Sequence, residues 1–296
     1  MKMNPRDFLK LLKTSKESQE QNLSIDEKRI EMEEVCARFP RTEIVSIQPT
    51  ELGDVPCSRQ EPSTESTSHI LYFHGGGYIM GNPETHLGVT TAIAKLSGAT
   101  VWSVDYRLAP ENPFPAAIED AVSAYRGLLE LSPSPDRIVI AGDSAGGGLT
   151  VASMLKAKSL GLPMPAGLVM LSPFADLALS GWSHSVSKER DFMADPETLA
   201  EMAGSYASGE DRSNELISPI YGDLAGLPPM LIHVGSEEVL LSDSITLAEK
   251  AGAARVPVEL KIWPEMPHVF QLYAKFLEAG DKSVEEISNW IAAQFD

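Results

Sequence analysis

Six short apolar runs recur along the chain from residue 69 onward: HILYF (69–73), TVWSV (100–104), RIVIA (137–141), GLVML (167–171), MLIHV (230–234) and VELKI (258–262). Their apolar positions are mostly consecutive, the pattern of strands buried on both faces. Between them, segments near 84–97, 115–131, 145–160, 243–253 and 270–279 have the length and composition of helices. Strands that alternate with helices predict an α/β fold with a mostly parallel sheet flanked by helices. Upstream, a β-type stretch from Glu43 to Ile47 and a weaker one around Leu52 to Val55 bring the sheet to about eight strands. Residues 58–68 (SRQEPSTESTS) are polar and turn-rich and read as a surface loop.

The first forty residues have a helical, amphipathic pattern. Pro5 suits a first helical turn, and Phe8, Leu9, Leu11 and Leu12 supply apolar surface. Ser24-Ile25-Asp26-Glu27 is a capping box, so a second helix is expected from Ser24 to about Phe39, ending before Pro40. One interval breaks the later rhythm. Nearly sixty residues separate Leu171 from Met230, and structureless loops of that length are uncommon. One or two helices are expected there, packed over the sheet. The expected organisation is an N-terminal cap part over 1–45 and a catalytic domain over 46–296 with a cap insertion at about 176–220.

Composition narrows the function classes. Charged residues make up 22% of the 296, an ordinary globular share that argues against disorder. Acidic residues number 42 against 24 basic, for a formal net charge of −18. A field of that sign repels phosphate backbones and anionic bilayers, so neither nucleic acid nor a stable membrane contact is expected. Two cysteines, Cys36 and Cys57, form no metal cluster or disulfide framework and read as free thiols. The N-terminus MKMNPRDFLKLLKTSKES lacks an apolar run of signal-peptide length, and no stretch approaches ~18 consecutive apolar residues. A soluble cytoplasmic protein is the expectation.

The sharpest local signal is Gly142-Asp143-Ser144-Ala145-Gly146, between the run RIVIA and a small-residue helix. This is G-x-S-x-G in the strand–turn–helix setting it requires. A nucleophile projected above a sheet needs a very tight turn. Glycines two residues to either side let strand and helix approach without side-chain clash. Upstream, HILYF runs straight into His74-Gly75-Gly76-Gly77. Such a loop can aim bare N–H groups at an oxyanion. The expected donors are the N–H groups of Gly76, Gly77 and Ala145, with His74 holding the loop by hydrogen bonding. Phosphate binding is the other use of a glycine-rich loop after a strand. The dinucleotide fingerprint wants glycine where Met80 stands, and no Gly-Lys-Ser/Thr follows either loop, so both phosphate readings are poor.

HGGG (74–77), YRLAPE (106–111) and GDSAGG (142–147), in that order and at those separations, resemble the hormone-sensitive-lipase family of carboxylesterases within the α/β-hydrolase fold. The resemblance spans about residues 69–270, and more loosely the N-terminal cap. It implies a serine esterase with nucleophile, acid and histidine in that chain order, a helical cap, no cofactor or metal, and a preference for short acyl esters. Of the histidines at 69, 74, 86, 184, 233 and 268, only His268 follows an acid that itself follows a late strand, so it is the expected base. His233 reads as a core histidine. The family usually carries an aspartate in a pattern like Asp-Pro-Leu-x-Asp after the preceding strand. Laid on without gaps, that pattern selects Glu238. A second register selects Glu237. This chain departs from the family in offering glutamate for aspartate, with Ser242 at the second aspartate.

Asp243 reads as a helix-opening acid and Asp143 as structural. The proline-rich loop 106–115 reads as support for the oxyanion loop, with Asp105 just before it or Arg107 within it as partners, or as a purely structural loop. Phe8, Leu12, Trp182 and Phe192 are candidates for an acyl pocket or for packing of the cap. The function so read is hydrolysis of small carboxylic esters through Ser144, His268 and Glu238. The alternatives are another acyl hydrolase (of amides, lactones or thioesters) and a non-catalytic receptor on the same fold. An exposed final strand makes a homodimer a further expectation.

Overall fold

The computed structural model describes residues 2–18, 23–63 and 66–295. Eight strands form one sheet: β1 (Ser46–Leu52), β2 (Val55–Glu61), β3 (His69–Phe73), β4 (Thr100–Val104), β5 (Ile138–Asp143), β6 (Gly167–Leu171), β7 (Met230–Gly235) and β8 (Val258–Trp263). Their order is β1-β2-β4-β3-β5-β6-β7-β8. Only β2 runs against the rest, antiparallel to both β1 and β4. The central register sets Leu71 of β3 opposite Trp102 of β4 and Ile140 of β5. The chain lays β4 on one side of β3 and β5 on the other. The loops leaving β3 and β5 therefore diverge and open a crevice at the carboxyl ends of these strands, the usual place for a ligand in an open α/β sheet.

Both faces of the sheet are covered. Ile70, Tyr72, Val101, Val139 and Ala141 point to one face, under α3 (Leu87–Ser97) and α9 (Glu278–Ala293). Leu71, Phe73, Val104, Ile138 and Ile140 point to the other, under α4 (Ala116–Leu131), α5 (Ala145–Ser159) and α8 (Leu241–Ala253). This two-sided burial is why the strands read as apolar runs without alternation.

The remaining helices lie outside these layers. α1 (Pro5–Ser18) puts Phe8 into a small cluster with Trp263, Met266, Phe270 and Leu277, with Leu12 packed on it. α2 (Ile25–Cys36) begins in the expected capping box: the Ser24 side chain accepts from the Glu27 N–H, and Glu27 accepts from the Ser24 N–H at 2.8 Å. The interval between β6 and β7 holds α6 (Ser183–Val186), α7 (Pro196–Ala207) and a 3-10 turn at Pro219–Tyr221. α7 is opened by Asp195, whose carboxylate accepts the Thr198 N–H at 2.9 Å. Its Tyr206 stacks on Tyr78 with ring centroids 3.8 Å apart, so α7 lies over the segment that follows β3.

Three expectations are corrected. The stretch Leu52 to Val55 is not one strand: Leu52 ends β1 and Val55 opens β2, and Gly53 and Asp54 between them both have positive φ, as a two-residue turn between twisted strands requires. Residues 58–61 belong to β2 rather than to a surface loop; Thr64 and Glu65 of that loop lie outside the described residues. The helix expected at 270–279 is a 3-10 turn at Phe270–Tyr273, and the long helix is α9, beginning at Glu278. Among the described residues, no helix is long and apolar enough to cross a membrane.

Candidate active site

Ser144 stands between the end of β5 and the first turn of α5, with φ 51° and ψ −120°. That is costly for a residue with a side chain and persists only where the surroundings fix it. They do. The Ser144 N–H donates to the Leu171 carbonyl at 2.9 Å, and its own carbonyl accepts the Phe174 N–H at 2.8 Å. The tightness explains the flanking glycines. A Cβ on Gly146 would lie 1.9 Å from the Phe73 carbonyl oxygen, and one on Gly142 would lie 2.3 Å from that of Gly146.

The structure brings His268 and Glu238 to this serine. His268 Nε2 is 2.9 Å from Ser144 Oγ, and His268 Nδ1 is 2.8 Å from Glu238 Oε2. The other oxygen, Oε1, accepts the Ser172 hydroxyl at 2.7 Å and the Gly235 N–H at 2.5 Å. A carboxylate held by three donors fixes the proton on Nδ1 and leaves the Nε2 lone pair facing the serine hydroxyl. The site is nearly closed, with Ser144 8% and His268 9% exposed. Burial pushes the Glu238 carboxyl above its usual range, and the His268 bond pulls it part of the way back. Burial alone would lower His268. The hydrogen bond and charge of Glu238, with the charges of Asp191 and Asp143, overcome that, and the imidazole is raised above its ordinary value. Glu237 takes no part: its carboxylate accepts from Ser236 Oγ and faces Arg190 at 3.7 Å.

Opposite the imidazole, the glycine loop turns its amides inward. Among the described residues, the N–H groups of Gly76 and Gly77 donate to no other group. Ala145, as the first residue of α5, has no carbonyl a turn earlier in the helix to bond. Gly77 has φ +61°, and a Cβ there would lie 2.2 Å from Met202 Sδ of α7, so the helix rests directly on the loop. Asp143 holds the loop from below, accepting the Gly75 N–H and the Tyr72 hydroxyl on Oδ1 at 3.1 and 2.8 Å, with His86 Nε2 3.2 Å from Oδ2. Burial works against its charge, but the charge and bond of His86 win and hold the carboxyl below the usual range. His74 donates from Nδ1 to the Gly75 carbonyl at 2.8 Å and stacks on Tyr106. Burial drives its pKa down to about 3, so it is neutral and suited to holding the loop rather than to carrying a proton.

Other positions fall elsewhere. The loop is supported by Tyr106, whose hydroxyl donates to the His74 carbonyl at 2.7 Å, and not by its neighbours. Arg107 is engaged with Asp120, and the Asp105 N–H donates to the Pro56 carbonyl. Asp243 lies in the first turn of α8, as expected of a helix-opening acid, but is not its cap; its Oδ2 accepts the N–H groups of Ala175 and Asp176. His233 is buried and its Nδ1 lies 2.8 Å from Ser283 Oγ. Phe8 and Leu12 pack under the His268 loop, while Trp182 is about half exposed. Sequence reasoning missed Ser172 and Asp191. Ser172 joins Glu238 to the Val269 N–H. Its signal was a serine at the carboxyl end of a core strand, on the same rim as Ser144. Asp191 lies in the irregular interval and carried no pattern.

A family profile described as the α/β hydrolase fold matches residues 70–272. An acetyl-hydrolase from Streptomyces hygroscopicus is 46% identical over 224 residues, 76% of this chain and 75% of that protein. An esterase from Acinetobacter venetianus is 33% identical over 270 residues, 91% of this chain and 89% of that protein. Among solved structures, a hormone-sensitive lipase from a metagenome library superposes with a TM-score of 0.99 at 66% identity, covering 100% of both chains.

Proposed function

The chain belongs to the α/β-hydrolase fold family, in its hormone-sensitive-lipase branch of carboxylesterases, and on that premise we propose that it hydrolyses short-chain esters through a Ser144–His268–Glu238 triad. The observation that carries this reading is the unbroken line of hydrogen bonds from Ser144 Oγ through the imidazole to Glu238.

The chemistry follows from these positions. As Ser144 Oγ attacks the ester carbonyl, its proton passes to Nε2 of His268, and Glu238 stabilises the imidazolium so formed. The carbonyl oxygen takes up the electron pair and receives the N–H groups of Gly76, Gly77 and Ala145. Collapse of the intermediate breaks the bond to the alcohol, which leaves with the proton from Nε2. Water then gives its proton to the same nitrogen and attacks the acyl-enzyme, releasing the acid and restoring Ser144. No step calls for a metal or cofactor. The preference for short acyl groups is supported by the near-closure of the site and by Met202 resting on Gly77. In this reading residues 1–45 and an insertion at about 176–220 form a cap over the hydrolase domain.

A panel of p-nitrophenyl esters tests the proposal. Turnover is expected from acetate through hexanoate and is expected to fall steeply by decanoate. Ser144→Ala lowers kcat by about 10⁵-fold or more, as loss of a triad nucleophile does elsewhere. Comparable hydrolysis by the variant, or preference for the longest chains, overturns the reading.

A further inference from the structure

Among the described groups, Asp191 is a buried carboxylate that the chemistry above does not use. It lies in the interval between β6 and β7, just before α7, and is 1% exposed. Oδ1 accepts the N–H groups of Met193 and Ala194 at 2.9 and 3.0 Å. Oδ2 reaches across the fold to accept the Val239 N–H at 2.9 Å. Val239 follows Glu238 directly. Its carbonyl is held from the same interval by the Ser183 hydroxyl, which also accepts the Ser242 N–H at 2.9 Å. Both backbone groups of the residue after the acid are thus gripped by one outside segment. No lysine or arginine forms an ion pair with Asp191 among the described residues. Three backbone donors solvate its charge without cancelling it.

Resting on the triad reading above, we infer that Asp191 is a positioning residue for the reaction: its carboxylate locks the turn that carries Glu238 and places a further negative charge beside that acid, at the Val239 N–H. The geometry gives two separable effects. The first is mechanical. Release of the Val239 N–H frees the turn, and a displacement of the acid by a fraction of an ångström rotates the imidazole away from Ser144. The second is electrostatic. Glu238, from the turn after β7, touches His268, and Asp143 from the end of β5 and Asp191 from the outside interval act on it through their charge; the Arg190–Glu237 pair belongs to the same stretches of chain, one residue from Asp191 and from Glu238. Removing one of the three acids weakens the field that favours the imidazolium.

The dependence of kcat/KM on pH for p-nitrophenyl butyrate, measured on the full chain, separates the two. Asp191→Asn loses the charge and presents its amide to one set of N–H donors. It is expected to lower kcat roughly tenfold with KM within about twofold, and to move the acid limb to lower pH. Asp191→Glu keeps the charge but not the fit, so its kcat falls while its limb stays near the wild-type position. Ser183→Ala releases the uncharged side of the clamp and remains informative if Asp191→Asn does not fold. It is expected to lower kcat without moving the limb. Wild-type kcat and limb in Asp191→Asn overturn the inference, as does an equal shift of the limb in Ser183→Ala. Both results differ from failure of the triad itself, which shows as activity surviving Ser144→Ala.

Discussion

Glu237 and Glu238 are adjacent and chemically identical, yet the fold gives them opposite surroundings. The turn after β7 buries Glu238 completely behind His268, while Glu237 looks outward to Ser236 and Arg190. Glu238→Ala is expected to lower kcat by about 10³-fold, because the imidazole loses both its orientation and its counter-charge. Glu237→Ala is expected to stay within about threefold of wild type, since its carboxylate bonds Ser236 and faces Arg190 at 3.7 Å, away from His268. Equal losses in both variants would refute the assignment. The same surroundings set the pH profile. In the proposed mechanism the base works as neutral imidazole, and the pKa of His268 is raised, so activity is expected to be lost on acidification with an inflection above the ordinary histidine value of ~6.5. An inflection below that value contradicts the balance of charges around His268. The histidine that meets Ser144 was legible from the chain order that the family resemblance implies. The choice between two glutamates was narrowed by resemblance, because it depends on which way a turn faces. Ser172 stood at the end of a core strand, but that its hydroxyl meets Glu238 depends on a contact 66 residues away; Asp191 was not legible, since it acts from an irregular interval through the Val239 N–H, which carries no side-chain signature.

At the scale of elements, the functional loops sit where strain is concentrated. Ser144, Ser172 and Val269 all have positive φ, and each adjoins or belongs to the line of groups running from the nucleophile to the acid. A β-branched residue such as Val269 rarely takes that conformation. The Ser172 hydroxyl accepts the Val269 N–H; at Ser144 it is the packing of β3 against α5 that holds the turn, with Gly146 the point of closest approach. Gly146→Ala sets a methyl group against a backbone carbonyl that cannot step aside. It is expected to destabilise the fold by about 3 kcal/mol or more and to abolish esterase activity in whatever fraction folds. A stable, active variant would show that the elbow can open. The buried strands were legible as apolar runs because both faces of the sheet are covered. The first hairpin was not, because β1 lies at the sheet edge and is largely exposed, so burial imposes no pattern on it. The last helix was misplaced for another reason. Phe270 is spent on the cluster beneath the His268 loop, and Gly280 must pack against Ala274, so the chain doubles back before α9 begins. Val284, Ile287 and Ile291 then supply the helical stripe that meets the sheet.

For the whole molecule, the N-terminal helices reach both halves of the site from behind. Phe8 of α1 lies beneath the loop carrying His268, packed with Trp263, Met266 and Phe270. Arg29 of α2 grips the opposite half. Its Nε donates to the Ile79 carbonyl at 2.8 Å, just past the glycine loop, and its Nη2 to the Ala109 carbonyl at 3.1 Å; the guanidinium also meets both oxygens of Glu111. That pair holds the Glu111 carboxyl down at about 2, but Glu111 is over half exposed, so the ion pair itself adds little. What Arg29 contributes is the pinning of two backbone carbonyls next to the glycine loop. Arg29→Ala is therefore expected to lower kcat several-fold with little change in KM, as when a contact that orders the transition state is lost. Phe8→Ala is expected to cost about 3 kcal/mol of stability, the scale for emptying a buried aromatic site. Because the two side chains share no partner, their effects on unfolding in urea are expected to add to within about half a kcal/mol in the double variant. Strong non-additivity would mean that the helices act as one rigid cover. Additive stability losses with kcat untouched in both variants would mean that they shelter the site without shaping it.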